Sequence, residues 1–339
     1  MNGVKELKYS STRGKAASVA SAEAIIQGLA VDGGLFVPEE MPKVDLDFIA
    51  GMRQLSYEER AARILGLFLT DYTSKELAGC IARAYGGGKF DDVRIAPVHA
   101  LKEFPVLELW HGPTSAFKDM ALQLLPQLLQ TALKKTGESA EILILVATSG
   151  DTGKAALEGF ADVDQIKILV FYPTGGVSKI QNLQMCTQKG ANVRVVAVKG
   201  NFDDAQNGVK EIFSDKAFGE KLASENVKLS SANSINWGRL VPQIVYYFSA
   251  YADLLEKGTI AAGEAVDFCV PTGNFGDILA GYYAKRMGLP VAKLICASNS
   301  NNVLTDFLQT GVYDKKRDFY KTISPSMDIL ISSNLERLL

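Results

Sequence analysis

Residues 142–153 read ILILVATSGDTG, six apolar residues followed by hydroxyl, acidic and glycine residues. A short run of this kind, rich in β-branched residues, predicts a strand Ile142–Ala147 that is buried on both faces of a parallel sheet. A helix is predicted at Gly153–Phe160. The intervening loop Thr148–Gly153 therefore lies beyond the carboxyl end of a strand, where α/β folds bind ligands. Its glycines, hydroxyls and free amides suit an anion, although an ordinary capped helix accounts for the same residues.

The strand–loop–helix pattern recurs from about residue 100 onward. Further strands are predicted at Val106–Leu109, Lys167–Tyr172, Val193–Val198, Val266–Pro271 and Ala292–Ala297. Helices are predicted at Phe117–Lys135, Ser178–Lys189, Asp203–Phe213, Trp237–Glu256 and Asp277–Met287. Strands that alternate with helices of this length imply right-handed crossovers. The fold class is therefore α/β, with an open, doubly wound, mostly parallel sheet.

The first hundred residues are organised differently. Helical patterns separated by glycine-rich turns occur at Ala20–Leu29, Tyr57–Phe68 and Ser74–Tyr85. We expect three domains, which are a mainly helical one over residues 1–98, a smaller α/β domain over 99–232, and the start of a larger α/β domain over 233–339. The second boundary is placed in the polar stretch Leu229–Trp237, which is rich in Ser and Asn.

The composition excludes several classes of protein. Of the 339 residues, 47% are hydrophobic and 22% are charged, as in folded globular proteins. A formal net charge of -2 gives no reason to expect a nucleic-acid partner. No apolar run approaches the roughly 20 residues that span a bilayer. The first residues, MNGVKELKYSSTRGK, lack the apolar core of a signal peptide. We therefore expect a cytoplasmic protein without a membrane partner.

Metal chemistry is not expected either. The four cysteines, Cys80, Cys186, Cys269 and Cys296, have no metal-ligand spacing, and the chain has only two histidines. Cys269 and Cys296 lie within apolar runs, which predicts buried free thiols.

A second candidate segment is HGPTSAFKD, residues 111–119, which follows one predicted strand and opens a helix. Lys118 lies near the start of that helix, where the helix dipole disfavours a positive charge. A lysine that loses its proton easily suits covalent attack on a carbonyl. A solvated lysine in the first turn of a surface helix would give the same segment.

A third segment is PTGNFGD, residues 271–277, again between a strand and a helix. Glycines spaced Gly-x-x-Gly at a helix N-terminus form a phosphate cradle. The segment is neither the dinucleotide fingerprint nor a P-loop, so NAD and ATP are not favoured. A lysine, a hydroxyl-rich loop and a phosphate cradle together are what pyridoxal phosphate requires.

The lysine segment resembles the cofactor-lysine motif of threonine synthases, which are fold-type II pyridoxal phosphate enzymes. The resemblance continues in YSSTRG (9–14), DGGLFVP (32–38), ATSGDTG (147–153), NSINWGRLVPQ (233–243) and PTGNFGD (271–277), across nearly the whole chain. It implies the tryptophan synthase β-like architecture of that class, with the cofactor lysine on the smaller α/β domain.

The resemblance also implies roles for individual residues. Lys118 is expected to be the Schiff-base lysine. The cofactor phosphate is expected to be held by Gly273, Asn274, Phe275, Gly276 and Asp277. Asp151 is expected to face the cofactor ring, and the substrate carboxylate is expected at Thr148, Ser149, Gly150 and Thr152. For the substrate phosphate, the sequence offers two cations near helix starts, Arg239 and Lys179, although each could equally be a surface cation.

The implied reaction converts O-phosphohomoserine to threonine and phosphate, in a monomer or homodimer. A dehydratase or phospho-lyase of the same fold is one alternative, and a catalytically inactive cofactor-binding homologue is another. Threonine synthases continue beyond the length of this chain, which stops at Ser332–Leu339 in what looks like the start of a capped helix. A C-terminal segment that covers part of the cleft is therefore expected to be absent.

Overall fold

The structure is a computed structural model that describes residues 6–339. Its strands, in chain order, are β1 (Tyr9–Ser11), β2 (Phe36–Pro38), β3 (Val98–Ala100), β4 (Pro105–Leu107), β5 (Glu141–Ala147), β6 (Ile166–Pro173), β7 (Val193–Val198), β8 (Val227–Ser230), β9 (Val266–Pro271) and β10 (Val291–Ala297). A four-stranded parallel sheet has the order β7-β6-β5-β8, and β9 pairs in parallel with β10. The predicted α/β fold with mostly parallel sheets is confirmed.

The helices connect these strands and build most of the N-terminal third. They are α1 (Ser21–Gln27), α2 (Leu46–Ala50), α3 (Tyr57–Phe68), α4 (Ser74–Tyr85), α5 (Asp119–Leu122), α6 (Leu125–Thr136), α7 (Asp151–Phe160), α8 (Lys179–Cys186), α9 (Phe202–Ser214), α10 (Lys216–Ser224), α11 (Trp237–Glu256), α12 (Gly276–Met287) and α13 (Val303–Thr310). Short 3-10 turns follow at Pro325–Met327 and Ser333–Arg337. The helix expected near the end of the chain is the second of these turns.

The prediction for Val106–Leu109 was wrong in its pairing. Strand β4 lies there, but it pairs antiparallel with β3 and is not part of the parallel sheet. Residues 101–104 alone connect the two strands, and a parallel crossover needs about a dozen residues or more. The spacing therefore permits only a hairpin.

The long helix predicted at Phe117–Lys135 is interrupted, because α5 ends at Leu122 and α6 begins at Leu125. Pro126 has no amide hydrogen to donate to the carbonyl oxygen of Leu122. Gly159 of α7 approaches that oxygen so closely that a Cβ atom at position 159 would lie 2.0 Å from it. The break therefore lets α7 pack directly against the lysine-bearing segment.

Several short elements were not predicted, namely β1, β2, β3, β8, α2, α10 and α13. Strand β8 begins just before the predicted break Leu229–Trp237 and pairs with β5, with Leu229 opposite Leu143. Its sequence VKLS alternates apolar and polar residues, so it lacks the continuous apolar run of the other sheet strands. The three domain limits themselves stay a prediction.

Helix α11 runs through the core. Nearly all of its residues are buried, and Trp237 at its start contacts the rings of Tyr9 and Phe68, at centroid distances of 5.2 and 5.7 Å. The hydroxyl of Tyr9 donates to the carbonyl of Phe68 at 2.8 Å. This packing fixes the N-terminal segment against the first turn of α11.

The expectation of buried thiols at Cys269 and Cys296 was wrong, since Cys269 is exposed and Cys296 is half-buried. Every second residue of β9, namely Asp267, Cys269 and Pro271, is exposed, so one face of the β9–β10 pair is left uncovered. Ile295 on β10 is 46% exposed for the same reason.

Between residues 6 and 339, no helix is both long and apolar enough to cross a membrane. Within the same range, no three His, Cys, Asp or Glu side chains are grouped so that they could hold a metal ion.

Candidate active site

The side chain of Lys118 is buried where the parallel sheet, α11 and α12 meet. Lys118 is 6% exposed and lies directly before the four-residue helix α5. Burial lowers the pKa of Lys118, the charge of Arg239 acts in the same direction, and Asp151 opposes both. Burial, and not the helix dipole expected from the sequence, is therefore the main cause, because a helix of four residues has only a weak dipole.

The turn that presents Lys118 is held by Asp119. Its carboxylate accepts hydrogen bonds from the amide and the hydroxyl of Thr114, both at 2.8 Å. A Cβ atom at Gly112 would lie 2.5 Å from the Asp119 side chain, so only glycine fits there. Gly112, Thr114 and Asp119 thus act on Lys118 through its backbone.

His111, the first residue of the same segment, contacts a carboxylate with each of its two ring nitrogens. Its Nε2 lies 2.8 Å from a Glu108 carboxylate oxygen, and its Nδ1 lies 2.5 Å from Asp91. Partial burial acts to lower the pKa of His111, but these two carboxylates outweigh burial and raise the pKa above its ordinary value. His111 therefore anchors the start of the loop.

The hydroxyl-rich loop after β5 uses one of its members to hold itself together. The Thr148 hydroxyl accepts the amides of Gly150 and Gly153 at 2.9 and 2.8 Å, which caps α7. Gly150 is the N-cap residue of α7, and Thr148 supplies the hydroxyl that a glycine lacks, so the Thr148 side chain is occupied by the loop. Ser149 and Thr152 line the cavity described below, whereas Gly150 does not.

Asp151 lies opposite Lys118, with 3.9 Å between the lysine nitrogen and Oδ2. Its Oδ1 accepts a hydrogen bond from the Gln181 amide at 2.7 Å, and its Oδ2 accepts one from the hydroxyl of Ser326. Burial acts to raise the pKa of Asp151. The Lys118 charge and the two donors outweigh burial, so the pKa lies below its ordinary value and Asp151 is a carboxylate.

The glycine loop connects β9 to α12 and turns sharply at Phe275. Phe275 has a left-handed φ of 67° and a buried side chain, which leaves the backbone of its neighbours facing the cavity. A Cβ atom at Gly273 would lie 3.1 Å from Ile329, and one at Gly276 would lie 3.2 Å from Asn334. The loop is therefore a backbone-lined cradle at a helix N-terminus, which suits a phosphate.

Asp277 follows this cradle and is itself buried. Burial raises its pKa to about 6, while the amide of Ile278 and the charge of Lys118 act in the opposite direction. The Ile278 amide donates to its Oδ1 at 2.8 Å. Asp277 therefore titrates near neutrality, beside the loop that is expected to receive a dianion.

Arg239 and Lys179, the two candidate cations, lie in different surroundings. Arg239 is 4% exposed, donates from Nη1 to the carbonyl of Ala232 at 2.6 Å, and has no hydrogen-bond partner at Nε. Burial lowers its pKa to about 10, so it stays charged. Lys179 is exposed at the start of α8 and lies outside the cavity wall. The structure brings Arg239, and not Lys179, to Lys118.

These groups share one cavity of about 1620 Å³. Its wall includes Lys118, Asp151, Arg239, Gly273, Asn274 and Asp277. Phe275 contributes through its backbone turn, because its side chain points into the core. The predicted cofactor residues therefore converge on this cavity. Of the predicted substrate residues, Thr148 uses its hydroxyl within its own loop, and Gly150 and Lys179 lie outside the wall.

A C-terminal segment, residues 324–337, completes the wall and was not predicted as part of the site. Ser326 reaches Asp151, and the Ser332 hydroxyl donates to the carbonyl of Gly273 at 2.6 Å. Arg337 is buried and donates to the carbonyls of Phe36 and Ile235 at 3.0 and 2.6 Å. A signal was present in the sequence, since SSNLER (332–337) places polar residues directly after the apolar run ILI (329–331).

The N-terminal segments YSSTRG and DGGLFVP form the rim of the cavity through Arg13, Asp32 and Gly33. The Ser11 hydroxyl donates to Asp32 at 2.7 Å, and Arg13 pairs with Glu336 at 3.1 Å. In the sequence, both segments contribute only to the family resemblance. The structure gives them a position next to the site.

Pyridoxal phosphate fits the residues present. A buried amine with a lowered pKa lies in the same cavity as the glycine loop, where Gly273 and Gly276 pack too closely against the 324–337 segment to leave easy room for a Cβ atom. Among the described residues, the buried guanidinium of Arg239 has no partner at Nε and no carboxylate in ion-pair contact, which is typical of a site that receives an anion. Lys118, the 273–277 loop and Asp151 are the residues that would hold the cofactor.

Comparison with known proteins agrees with this fit. Residues 8–85 match the family described as threonine synthase N terminus, and residues 96–338 match the family described as pyridoxal-phosphate dependent enzyme. The chain is 45% identical to threonine synthase from Pseudomonas aeruginosa, over 98% of this chain and 68% of that protein. It is 48% identical to human threonine synthase-like 1, over 93% of this chain and 44% of that protein. It therefore spans less than half the length of this human relative.

Solved structures give the same result. The pyridoxal phosphate-bound threonine synthase from Brucella melitensis superposes with a TM-score of 0.88 at 44% identity, over 98% of this chain and 69% of that one. Yeast threonine synthase gives a TM-score of 0.88 at 41% identity, over 98% and 66%. The chain belongs to the threonine synthase family of pyridoxal phosphate-dependent enzymes.

Proposed function

We propose that this chain carries the active site of a threonine synthase, which converts O-phosphohomoserine and water to threonine and phosphate. The observation that supports it most is the position of Arg239, a buried guanidinium with a free Nε in the same cavity as Lys118. The phosphate group of a phosphorylated substrate is a dianion, which can form a charge-assisted hydrogen bond with this guanidinium.

The residues have distinct roles in this proposal. Lys118 binds the cofactor covalently, and the amides of the 273–276 loop bind its phosphate at the start of α12. Ser149 and Thr152 offer hydroxyls to the substrate carboxylate. Arg239 binds the substrate phosphate. When bound, pyridoxal phosphate supplies an electron sink for carbanions next to the amino group.

Proton transfer is assigned to Lys118 once the substrate amine has displaced it. Its lowered pKa allows a neutral amine to take the proton from the α carbon, and the resulting ammonium can return a proton later. Phosphate leaves from the γ carbon and water adds at the β carbon. The buried setting of Lys118 restricts access of bulk water to these steps.

A related phospho-lyase, which would release 2-oxobutyrate, is the second candidate. The human relative at 48% identity is described as threonine synthase-like 1, a description that names no reaction and so does not distinguish the two candidates. Both reactions use Lys118 and the glycine loop, so cofactor binding does not separate them. The product does.

The test combines spectroscopy with product analysis. We expect the chain mixed with pyridoxal phosphate to absorb near about 410–420 nm, and added O-phosphohomoserine to yield phosphate and threonine in equal amounts. Lys118→Ala is expected to lose the band and both products. Lys216→Ala is the matched control, because Lys216 also begins a helix but is exposed. Release of 2-oxobutyrate would favour the phospho-lyase, and a band without either product would contradict both reactions.

A further inference from the structure

The two oxygens of the Asp151 carboxylate accept hydrogen bonds from two different donors. The carboxylate does not reach hydrogen-bond distance from Lys118. Oδ1 accepts from Gln181 and Oδ2 accepts from Ser326, while the lysine nitrogen remains 3.9 Å from Oδ2. That distance is too long for a charge-assisted hydrogen bond, which needs about 2.7–2.9 Å. An opposite charge is thus adjacent to the amine without being bonded to it.

Gln181 is fixed in the orientation that makes it a donor. Its Oε1 accepts the amide of Ser178 at 3.0 Å within the capping box of α8, so its Nε2 points at Asp151. Gly150 allows this approach, since a Cβ atom there would lie 2.4 Å from the Gln181 amide. Gln181 of α8 therefore holds the Oδ1 atom of Asp151 in place.

Ser326 is fixed from the other side of the cavity. It lies in the 3-10 turn Pro325–Met327, and Asp328 anchors that turn. The buried carboxylate of Asp328 accepts the Thr322 hydroxyl at 2.7 Å, the Thr322 amide at 2.9 Å and the Asn299 side chain at 2.8 Å. This hydrogen-bonded segment therefore holds Ser326 next to Asp151, although the two residues are 175 positions apart in the sequence.

The charges that face Lys118 from the packed elements are few. They are Asp151 on α7, Arg239 on α11, Asp277 on α12 and Asp119 on α5. The Asp119 carboxylate is occupied by Thr114, and one oxygen of Asp277 accepts the Ile278 amide. Asp151 is the one within 4 Å of the lysine nitrogen, so its position decides how strongly the ammonium form is stabilised.

We propose that Ser326 is a positioning residue that, with Gln181, holds the Asp151 carboxylate away from Lys118 and so keeps the amine free to capture the cofactor aldehyde. The inference rests on the cofactor role of Lys118 and not on which product is formed. In the capture step, the neutral nitrogen adds to the aldehyde carbon and a C=N bond replaces the C=O bond. The nitrogen gives up its two protons and the oxygen leaves as water, without change of oxidation state.

Removing the Ser326 hydroxyl frees Oδ2, and Asp151 can then close from 3.9 Å to hydrogen-bond distance from Lys118. At an effective dielectric constant of about 20, that approach stabilises the ammonium by about one pH unit. Capture at a pH below the midpoint therefore slows by about tenfold in Ser326→Ala. Asp151→Asn acts in the opposite direction, because it removes the negative charge, so its midpoint falls and capture at the same pH is faster.

The experiment has two readouts that need no turnover. Acetylation of Lys118 in the cofactor-free chain, followed across pH by mass spectrometry, gives the titration midpoint. Stopped-flow absorbance after mixing with pyridoxal phosphate gives the capture rate across the same pH range. Threonine formation is measured separately, so failure of the proposed reaction leaves both readouts intact.

Two controls separate positioning from general damage. Ser324→Ala removes a hydroxyl of the same segment that does not line the cavity, and Ser326→Thr keeps the hydroxyl at the site. Both variants are expected to have the same titration midpoint of Lys118 as the unchanged chain. Thermal melting checks that both variants fold. The proposal is overturned if Ser326→Ala leaves the midpoint unchanged, or moves it in the same direction as Asp151→Asn. It is also overturned if Ser326→Thr shifts the midpoint as far as Ser326→Ala does.

Discussion

Arg337 donates a hydrogen bond to the backbone carbonyl of Phe36, 301 positions earlier in the chain, at 3.0 Å. The same guanidinium reaches the carbonyls of Ser234 and Ile235 and the side chain of Asn334. All of these acceptors surround a side chain that is 7% exposed, and none of them is a carboxylate. One residue thus joins the N-terminal segment, the start of α11 and the C-terminal segment.

We expect Arg337→Ala to lower the free energy of unfolding by about 2–4 kcal/mol, because several buried carbonyl oxygens lose their donor. Arg13→Ala is the control, since the Arg13–Glu336 pair is half exposed and such pairs contribute about 1 kcal/mol or less. Urea unfolding measures both. Equal effects of the two variants would contradict the role assigned to Arg337.

Gly150→Ala is expected to destabilise the protein by about 1–3 kcal/mol, because Gly150 has a φ of 142° and the new Cβ atom would displace Gln181. Gly208→Ala, within α9, has open space around its Cβ position and is expected to stabilise the protein by about 0.5–1 kcal/mol. Thermal melting of the two variants compares them directly. A Gly150→Ala variant that is as stable as the unchanged chain would show that Gln181 relocates without cost.

Asp277 makes stability depend on pH. Its folded-state pKa of about 6 lies above the unfolded value, so its contribution is fully present below about pH 4 and is lost as the pH rises through 6. Asp277→Asn should therefore be nearly neutral at pH 4. At pH 7.5 it should stabilise the cofactor-free protein by up to about 3 kcal/mol, from two pKa units at 1.4 kcal/mol each. Urea unfolding at both pH values tests this, and a stabilisation that is the same at both would argue against a titrating carboxyl.

Arg239→Ala is expected to raise the KM for O-phosphohomoserine by tenfold or more, roughly the loss of one charge-assisted contact, while the cofactor band is retained. Lys179→Ala is expected to leave KM unchanged, because Lys179 is exposed outside the cavity. Steady-state kinetics of the two variants separates the two cations that the sequence offered. An unchanged KM in Arg239→Ala would remove it from the substrate site.

The parts of the site that sequence could predict are those carried by contiguous segments. Lys118 and the 273–277 loop depend on local turns, which glycine and neighbouring residues encode directly. Arg239 and Lys179 were indistinguishable, because both begin helices and only tertiary packing makes one of them buried. Ser326 could not be predicted, since its contact with Asp151 depends on where two distant segments meet in space.

The errors in the fold have similar causes. The broken helix was readable, because Pro126 removes the donor to Leu122, but the close approach of Gly159 that exploits the break is a tertiary contact. The hairpin of β3 and β4 was also readable from the short connection between them. Strand β8 was not, because its alternating sequence becomes a strand only when β5 offers it a paired edge.

The contact between Phe36 and Arg337 also bears on the order in which the protein folds. Contacts between residues so far apart in sequence carry a large loop-closure cost and form late. Before that closure, the 273–276 loop lacks the cover of Ser332 and Asn334, and the wall containing Ser326 is not yet in place. We therefore expect cofactor capture to be a late event in maturation, and we expect pyridoxal phosphate added during refolding to stabilise the closed chain by mass action without speeding the earlier steps.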